Sequence, residues 1–242
     1  MTKPTTFAWR NRFQRLLHEV LVRNELRQPA DAYRLSWAGT ARSGYSYGYA
    51  QFDLAAGGAR PRRAFFRVLA GFAEQAPRLA PLLPQLEPAL ARRRGEMTAE
   101  EIDLIESHKR LINRALQSPE GRAVIDRMHV THVEKLEGQV NALRDRANAD
   151  ARGFVRSVEG RLYIADYCNQ FGAPTTFARY IQGQTVRIGG RPKTLTGRLT
   201  VPVWHDYVTS TKYAREHPAD IRRRLRNVAK VVEADAAARA IA

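Results

Sequence analysis

Apolar residues recur at helical spacing along most of this chain, and the period lapses in only a few places. Phe13, Leu16, Leu17, Val20 and Leu21 make one stripe, which predicts a first helix from about Thr6 to Arg27. Pro29 stops it, because the residue before a proline resists helical geometry. Residues 30 to 60 lose the period. They are rich in Gly, Ser, Tyr and Ala and read as an irregular loop with one short hairpin. From Pro61 the helical pattern returns. Residues 64 to 75 carry Phe65, Phe66, Val68, Leu69 and Phe72, apolar nearly all round, which predicts a buried helix.

Pro81, Pro84 and Pro88 mark a connector or a broken helix. Thr98 followed by Glu101 matches a capping box ahead of Ile102, Leu104, Ile105, Leu111 and Ile112. Ser118-Pro119 opens another helix, with proline in its first turn. Val133, Leu136, Val140 and Leu143 alternate spacings of three and four between 128 and 149; two heptads are too few for a coiled coil, so this is a core helix. Residues 162 to 171 form a further apolar helix, ended by Gly172 and Pro174. Residues 185 to 196, with Gly189-Gly190 and Pro192, read as a loop or hairpin. Helices resume near Val201, and the last begins near Asp220. No repeat period is visible. The fold class is mainly α, with a small β-hairpin after the first helix.

Composition changes this picture little. The 242 residues and 44% hydrophobic content suit a single domain over 1–242, ending in a basic amphipathic helix at about 219–242. The lone Cys168 rules out an intramolecular disulfide and reads as a buried thiol. No apolar run reaches membrane-spanning length, and the basic, aromatic start lacks the pattern of a signal peptide.

Charge adds more. A formal net charge of +16 favours polyanionic partners: nucleic acid, an anionic membrane, lipopolysaccharide or the bacterial wall. The densest basic runs are Arg92-Arg93-Arg94 and Arg222-Arg223-Arg224. In the last helix Ile221, Leu225, Val228 and Val232 form an apolar stripe beside Arg222, Arg223, Arg224, Arg226 and Lys230. Either this helix docks on the domain with a solvated basic face, or it reaches lipopolysaccharide or membrane.

The stretch Ser43 to Asp53, SGYSYGYAQFD, packs four aromatic rings and two glycines between a helix that ends in Glu25 and the next helical run. A glycosidase needs a carboxylic acid whose pKa is raised by apolar walls, so that it can protonate a glycosidic oxygen. It also needs aromatic faces and close backbone approach to hold sugar rings, which tyrosines and glycines supply. Glu25, where the chain leaves the helix for the hairpin, suits the acid role better than mid-helix Glu19; otherwise it is a solvated surface carboxylate. Tyr45, Tyr47 and Tyr49 alternate and would share one strand face, which lines a cleft or packs on the core.

These residues carry a resemblance. Glu25-Leu26-Arg27, Ala32-Tyr33-Arg34 and Gly44-Tyr45-Ser46-Tyr47-Gly48-Tyr49 resemble the catalytic segment of phage-type lysozymes, where a Glu closes the first helix and a GYxTxGxG-like hairpin follows. Gly48-Tyr49-Ala50-Gln51-Phe52-Asp53 resembles the G-x-x-Q-x-D segment of goose-type lysozymes and the G-x-x-Q of lytic transglycosylases. The likeness covers about forty residues. It implies a lysozyme-like fold and cleavage of the β-1,4 bond between N-acetylmuramic acid and N-acetylglucosamine, with Glu25 as general acid and no cofactor. It also implies that Gln51 binds substrate or fixes the hairpin. Ser46 stands where phage lysozymes usually have Thr, and Leu35-Ser36 where they place an Asp. The second catalytic group is therefore open among Asp53, Asp31 and Ser46. An inverting hydrolase needs two carboxyls about 6.5–9.5 Å apart, whereas a lytic transglycosylase works with one glutamate.

Outside this segment, Asn169 and Gln170 end a helix beside Phe171 and either bind N-acetyl groups or simply close a capped helix. His129 and His132 share a helical face, but no third ligand at family spacing accompanies them, so no metal is expected. The partners expected are peptidoglycan strands, with lipopolysaccharide or membrane reached through the last helix, no specific nucleic acid and a monomeric enzyme. The expected setting is a phage endolysin, made without a signal peptide in the host cytoplasm and acting on the wall in the periplasm; a virion-associated or secreted antibacterial effector is the variant. The rival classes are a basic helical nucleic-acid-binding protein and a non-catalytic wall-binding protein of the same fold.

Overall fold

A computed structural model describes residues 7–37, 42–172 and 174–241. Of the stretches discussed above, Thr6, residues 38–41 of the loop and Ala242 lie outside the described residues. The chain packs as two compact units, one of Glu25–Thr131 and one of Phe7–Asn24 with the chain from His132 onward. The divisions fall inside two helices, α1 (Arg12–Glu25) and α5 (Pro119–Arg144). The predicted first helix is thus shorter at both ends.

The first unit runs from Glu25 through a 3-10 turn at Pro29–Tyr33 into a small antiparallel sheet. Strand β1 (Ser36–Trp37) pairs with β2 (Tyr45–Tyr47), which pairs with β3 (Phe52–Asp53). Helices α2 (Ala59–Ala73), α3 (Leu83–Leu90) and α4 (Ala99–Gln117) follow, then the first half of α5. In α2 only Phe65, Val68 and Leu69 are buried, while Phe66 and Phe72 are half-buried and Arg67 is exposed. The all-round burial expected there gives way to one-sided packing, with Phe66 off the face that carries Phe65 and Leu69 and Phe72 near the carboxyl end of the helix. Pro81 falls in a 3-10 segment at Pro77–Leu82, and Pro84 opens α3, so the proline-rich stretch is a broken helix.

The capping box before α4 forms as read. Glu101 N donates to Thr98 Oγ1 at 3.2 Å, and Thr98 N donates to Glu101 Oε2 at 2.9 Å. Between α4 and α5 the backbones turn so tightly that a Cβ on Gly121 would meet the Ala115 carbonyl oxygen at 2.2 Å, so only glycine fits there. Gly121 N also donates to Ser118 Oγ at 3.0 Å, which starts α5.

The second unit holds one continuous apolar core. Phe13, Leu16, Leu17, Val20 and Leu21 of α1 pack with Val133, Leu136, Val140 and Leu143 of α5. Helices α6 (Ala149–Arg156), α7 (Val158–Phe171), α8 (Thr175–Tyr180), α9 (Val201–Thr209), α10 (Lys212–Glu216) and α11 (Pro218–Ile241) complete it, with a hairpin of β4 (Val186–Ile188) and β5 (Arg191–Lys193). Gly172 ends α7 with φ of 76°, the left-handed geometry that favours glycine, and its N–H donates to the Cys168 carbonyl. Cys168 is buried, and burial pushes its thiol pKa up to about 12.

In α11 the side chains Ile221, Val228 and Val231 are buried, with Leu225 and Val232 packed against the core. The basic face differs from expectation. Arg224 is buried and paired with Asp166 at 2.8 Å and Asp220 at 3.2 Å. Arg223 donates to the Asn24 carbonyl at 2.9 Å and, with Asn227, satisfies the last carbonyls of α1. Helical spacing places a residue on a face, but a carboxylate on a distant helix turns that face inward.

Candidate active site

Glu25 is the last residue of α1, and its side chain is half-buried. Seven residues later the chain is tied to the sheet. Gly48 N donates to the Ala32 carbonyl at 2.9 Å, and Gly48 takes φ of 81°, which lets the β2–β3 turn close against this segment. The tie is repeated by side chains. The Tyr33 hydroxyl donates to Asp126 Oδ1 at 2.7 Å and accepts from the Tyr49 hydroxyl at 2.8 Å. Arg122 lies over the Tyr33 ring at 4.6 Å, and the His129 ring packs on Tyr49 with centroids 4.6 Å apart.

All three tyrosines of the Ser43–Asp53 stretch are buried, so their rings pack on the core. Only Tyr45 and Tyr47 lie in β2; Tyr49 lies in the turn that follows. Tyr45 donates to Glu106 Oε1 at 2.5 Å and receives a hydrogen bond from Arg94, whose guanidinium also covers the Trp37 ring at 4.0 Å. Tyr47 donates to the Pro61 carbonyl at 2.7 Å. Burial raises the pKa of all three above the ordinary phenol value, so they remain neutral hydrogen-bonding groups. Burial also pushes the Glu106 carboxyl upward. The hydrogen bonds from Tyr45 and Lys109 and the charge of Lys109 outweigh it and hold Glu106 below the ordinary carboxylate value.

Ser46 is buried in the centre of the sheet, opposite Ser36 on one side and Asp53 on the other. Gln51 has φ of 49° and spans the turn. Its Nε2 donates to the Gly48 carbonyl at 3.1 Å, and its Oε1 accepts from Ser36 Oγ at 2.5 Å. Asp53 accepts three backbone N–H groups, from Gly44 at 3.1 Å, Ala55 at 2.7 Å and Ala56 at 2.9 Å, which places both carboxylate oxygens in a turn-forming role. Asp31 sits in the 3-10 turn and accepts from Gln28 N at 3.2 Å.

Glu19, His132, Asn169 and Gln170 belong to the second unit. Glu19 pairs with Arg15 at 3.0 Å. His132 Nε2 donates to Asn169 Oδ1 at 2.7 Å, and Gln170 Nε2 donates to Asp220 Oδ2 at 3.3 Å. Asn169 and Gln170 thus tie α7 to α5 and α11. His129 and His132 fall on either side of the division within α5, and among the described residues no group of three His, Cys, Asp or Glu could hold a metal ion.

Sequence reasoning missed Asp126 and Glu106, the carboxylates that receive Tyr33 and Tyr45. Arg122, Asp126 and His129 recur at helical spacing, which marks one face of α5 but not the tyrosines it meets. No family model matches the chain, and no curated protein or solved structure matches it either.

Proposed function

We propose that this chain is a peptidoglycan-degrading glycosidase of lysozyme-like fold, with Glu25 as its general acid. The observation that carries the reading is local. A half-buried glutamate closes α1, and the segment leaving it is bound to the glycine–tyrosine sheet through Gly48 N to Ala32 O and through Tyr49 to Tyr33. A carboxylic acid followed by a hydrogen-bonded aromatic sheet supports the reading, because the resemblance to phage-type and goose-type lysozymes assigns that arrangement to catalysis.

The hydrogen bonds of Asp53 favour one mechanism. A carboxylate already accepting three backbone N–H groups is poorly placed to take a proton from water. Asp53 is then a positioning residue that shapes the sheet beside Gly44. Glu25 donates its proton to the glycosidic oxygen as the C1–O bond breaks. The same carboxylate then takes the proton of the muramic C6 hydroxyl as that oxygen bonds to C1, closing a 1,6-anhydro ring. Gln51 fixes the turn of the sheet, and wall glycan strands are the substrate.

Clearing of purified peptidoglycan by wild type and Glu25→Gln tests the reading. Wild type is expected to clear, and the variant to lose about 10²–10⁴-fold in rate while melting at the same temperature. No clearing by wild type would sink the enzyme, and an undiminished variant would sink the assignment of Glu25. Mass spectrometry of the released fragments is expected to find 1,6-anhydro ends; hydrolysed reducing ends would overturn the single-glutamate mechanism.

A further inference from the structure

A second feature of the first unit is independent of the glycosidase reading. A cavity of about 640 Å³ opens between the 3-10 segment Pro77–Leu82 and the carboxyl-terminal half of α4, lined by Arg78, Leu82, Ser107, His108, Arg110 and Arg114 among others. Arg110 and Arg114 stand one turn apart on α4, and Arg78 comes from the other element. Among the described residues none of the three lies within 4 Å of a carboxylate oxygen, although ion pairs engage Arg92, Arg94 and Lys109 nearby. The dipole of α4 accounts for one cation in its last turn, Arg114, but not for Arg78 converging on it from a separate element.

The neighbouring cavity, about 650 Å³, shares Ser107 and His108 and carries Glu100, Glu101 and Asp103. The groove along α4 is therefore polar in charge, basic at one end and acidic at the other. An anion is directed to the arginine end. Nδ1 of His108 donates to the Leu104 carbonyl at 2.8 Å, which leaves Nε2 as the ring's second polar atom.

We propose that the arginine end of this groove binds a phosphomonoester or pyrophosphate group. Three exposed guanidiniums line one cavity without a carboxylate partner among the described residues, and their planar forks match phosphate oxygens in pairs. Convergence on one cavity suits a compact group of multiple charge. A phosphodiester strand spreads single charges along its length and calls for a stripe of cations instead. Such a group is carried by soluble small molecules and by lipid headgroups alike, and the test separates the two.

Isothermal titration of the full chain with sodium pyrophosphate at low ionic strength is the first arm. Binding is expected, and Arg110→Gln/Arg114→Gln is expected to weaken it about tenfold or more. Arg222→Gln/Arg226→Gln, which removes the same charge from α11, is expected to leave it unchanged. Absence of binding by wild type, or equal weakening by both pairs, would overturn the site. Arginine side-chain NMR of the wild type needs no variant: pyrophosphate should shift the resonances of Arg78, Arg110 and Arg114, and a uniform shift over all arginines counts against the proposal. Vesicles bearing a phosphomonoester lipid form the second arm. Binding displaced by pyrophosphate assigns a lipid source, and pyrophosphate binding without vesicle binding assigns a soluble one. Binding of a single-stranded oligonucleotide that pyrophosphate cannot displace, with no pyrophosphate binding of its own, would replace the proposal with a nucleic-acid surface.

Discussion

The two units solve the same problem, buried polar groups, with different chemistry. The second unit buries charge and answers it with charge. Asp166 and Arg224 are both under a tenth exposed and bonded at 2.8 Å, with Asn24 donating to the same Asp166 oxygen at 2.8 Å. Asp235 is likewise buried and paired with Arg12, Arg15 and Arg239. The first unit instead buries neutral tyrosine hydroxyls and hands them to a carbonyl, a carboxylate or one another, as Tyr47 does to Pro61, Tyr33 to Asp126 and Tyr49 to Tyr33. A charge pair holds its elements strongly once formed, because stranding either member in the interior is costly. A neutral hydroxyl contributes modestly, so the sheet of the first unit rests on many small terms. Two sets of arginines stand apart: Arg224 and Arg223 of the second unit are structural, while Arg78, Arg110 and Arg114 of the first have no carboxylate partner among the described residues.

The largest stability effect should come from breaking the charge pair. Asp166→Ala removes the buried carboxylate nearest Arg224, leaving the longer contact to Asp220 at 3.2 Å, and should cost about 3 kcal/mol by chemical denaturation. Asp166→Leu with Arg224→Met should recover much of it; no recovery would mean the pair itself, and not the stranded charge, sets the cost.

A pH effect of similar origin should come next. His18 packs on Phe7 and Trp9, with ring centroids 4.9 and 5.3 Å away, and burial lowers its pKa from 6.5 to about 4. Between those values the unfolded chain binds a proton that the folded chain refuses. The contribution is therefore complete above about pH 6.5 and declines as pH falls toward 4, by ~3 kcal/mol over the window. Denaturation at neutral pH and near pH 4.5 should reveal the loss, and His18→Leu should flatten it.

The smallest effect sharpens the contrast from the other side. Tyr47→Phe removes one hydroxyl from the first unit and should cost about 1 kcal/mol. If thermal melting puts it level with Asp166→Ala, the division between charge-held and hydroxyl-held units is wrong.

Much of the fold was legible because it is written in short-range terms. The core helices follow from spacings of three and four, the start of α4 from Thr98 and Glu101, the start of α5 from Ser118-Pro119, and the end of α7 from Gly172. Burial of Cys168 and the presence of a short sheet after α1 were legible for the same reason. The candidate site was legible only as a set of residue types. Spacing placed Tyr45 and Tyr47 on a strand but left open whether they lined a cleft or packed inward, because Glu106 and Pro61 lie far along the chain in one case and around a turn in the other. Asp53 read as a catalytic candidate, while its three hydrogen bonds depend on the path of the backbone through Gly44, Ala55 and Ala56.

By itself, then, the sequence determined a mainly helical chain with a small sheet, a glutamate at the end of its first helix and a strongly positive charge. These depend on periodicity, caps and composition, which act over a few residues or over none. Tertiary structure alone decided that the chain packs as two units, that α2 buries only one face, that Arg224 turns inward and that Arg78 joins Arg110 and Arg114 around one cavity. Each of these requires groups far apart in the chain to meet. Asp166 and Arg224 are 58 residues apart. The energy that orders them comes from desolvation and pairing, which exist only once the elements are packed.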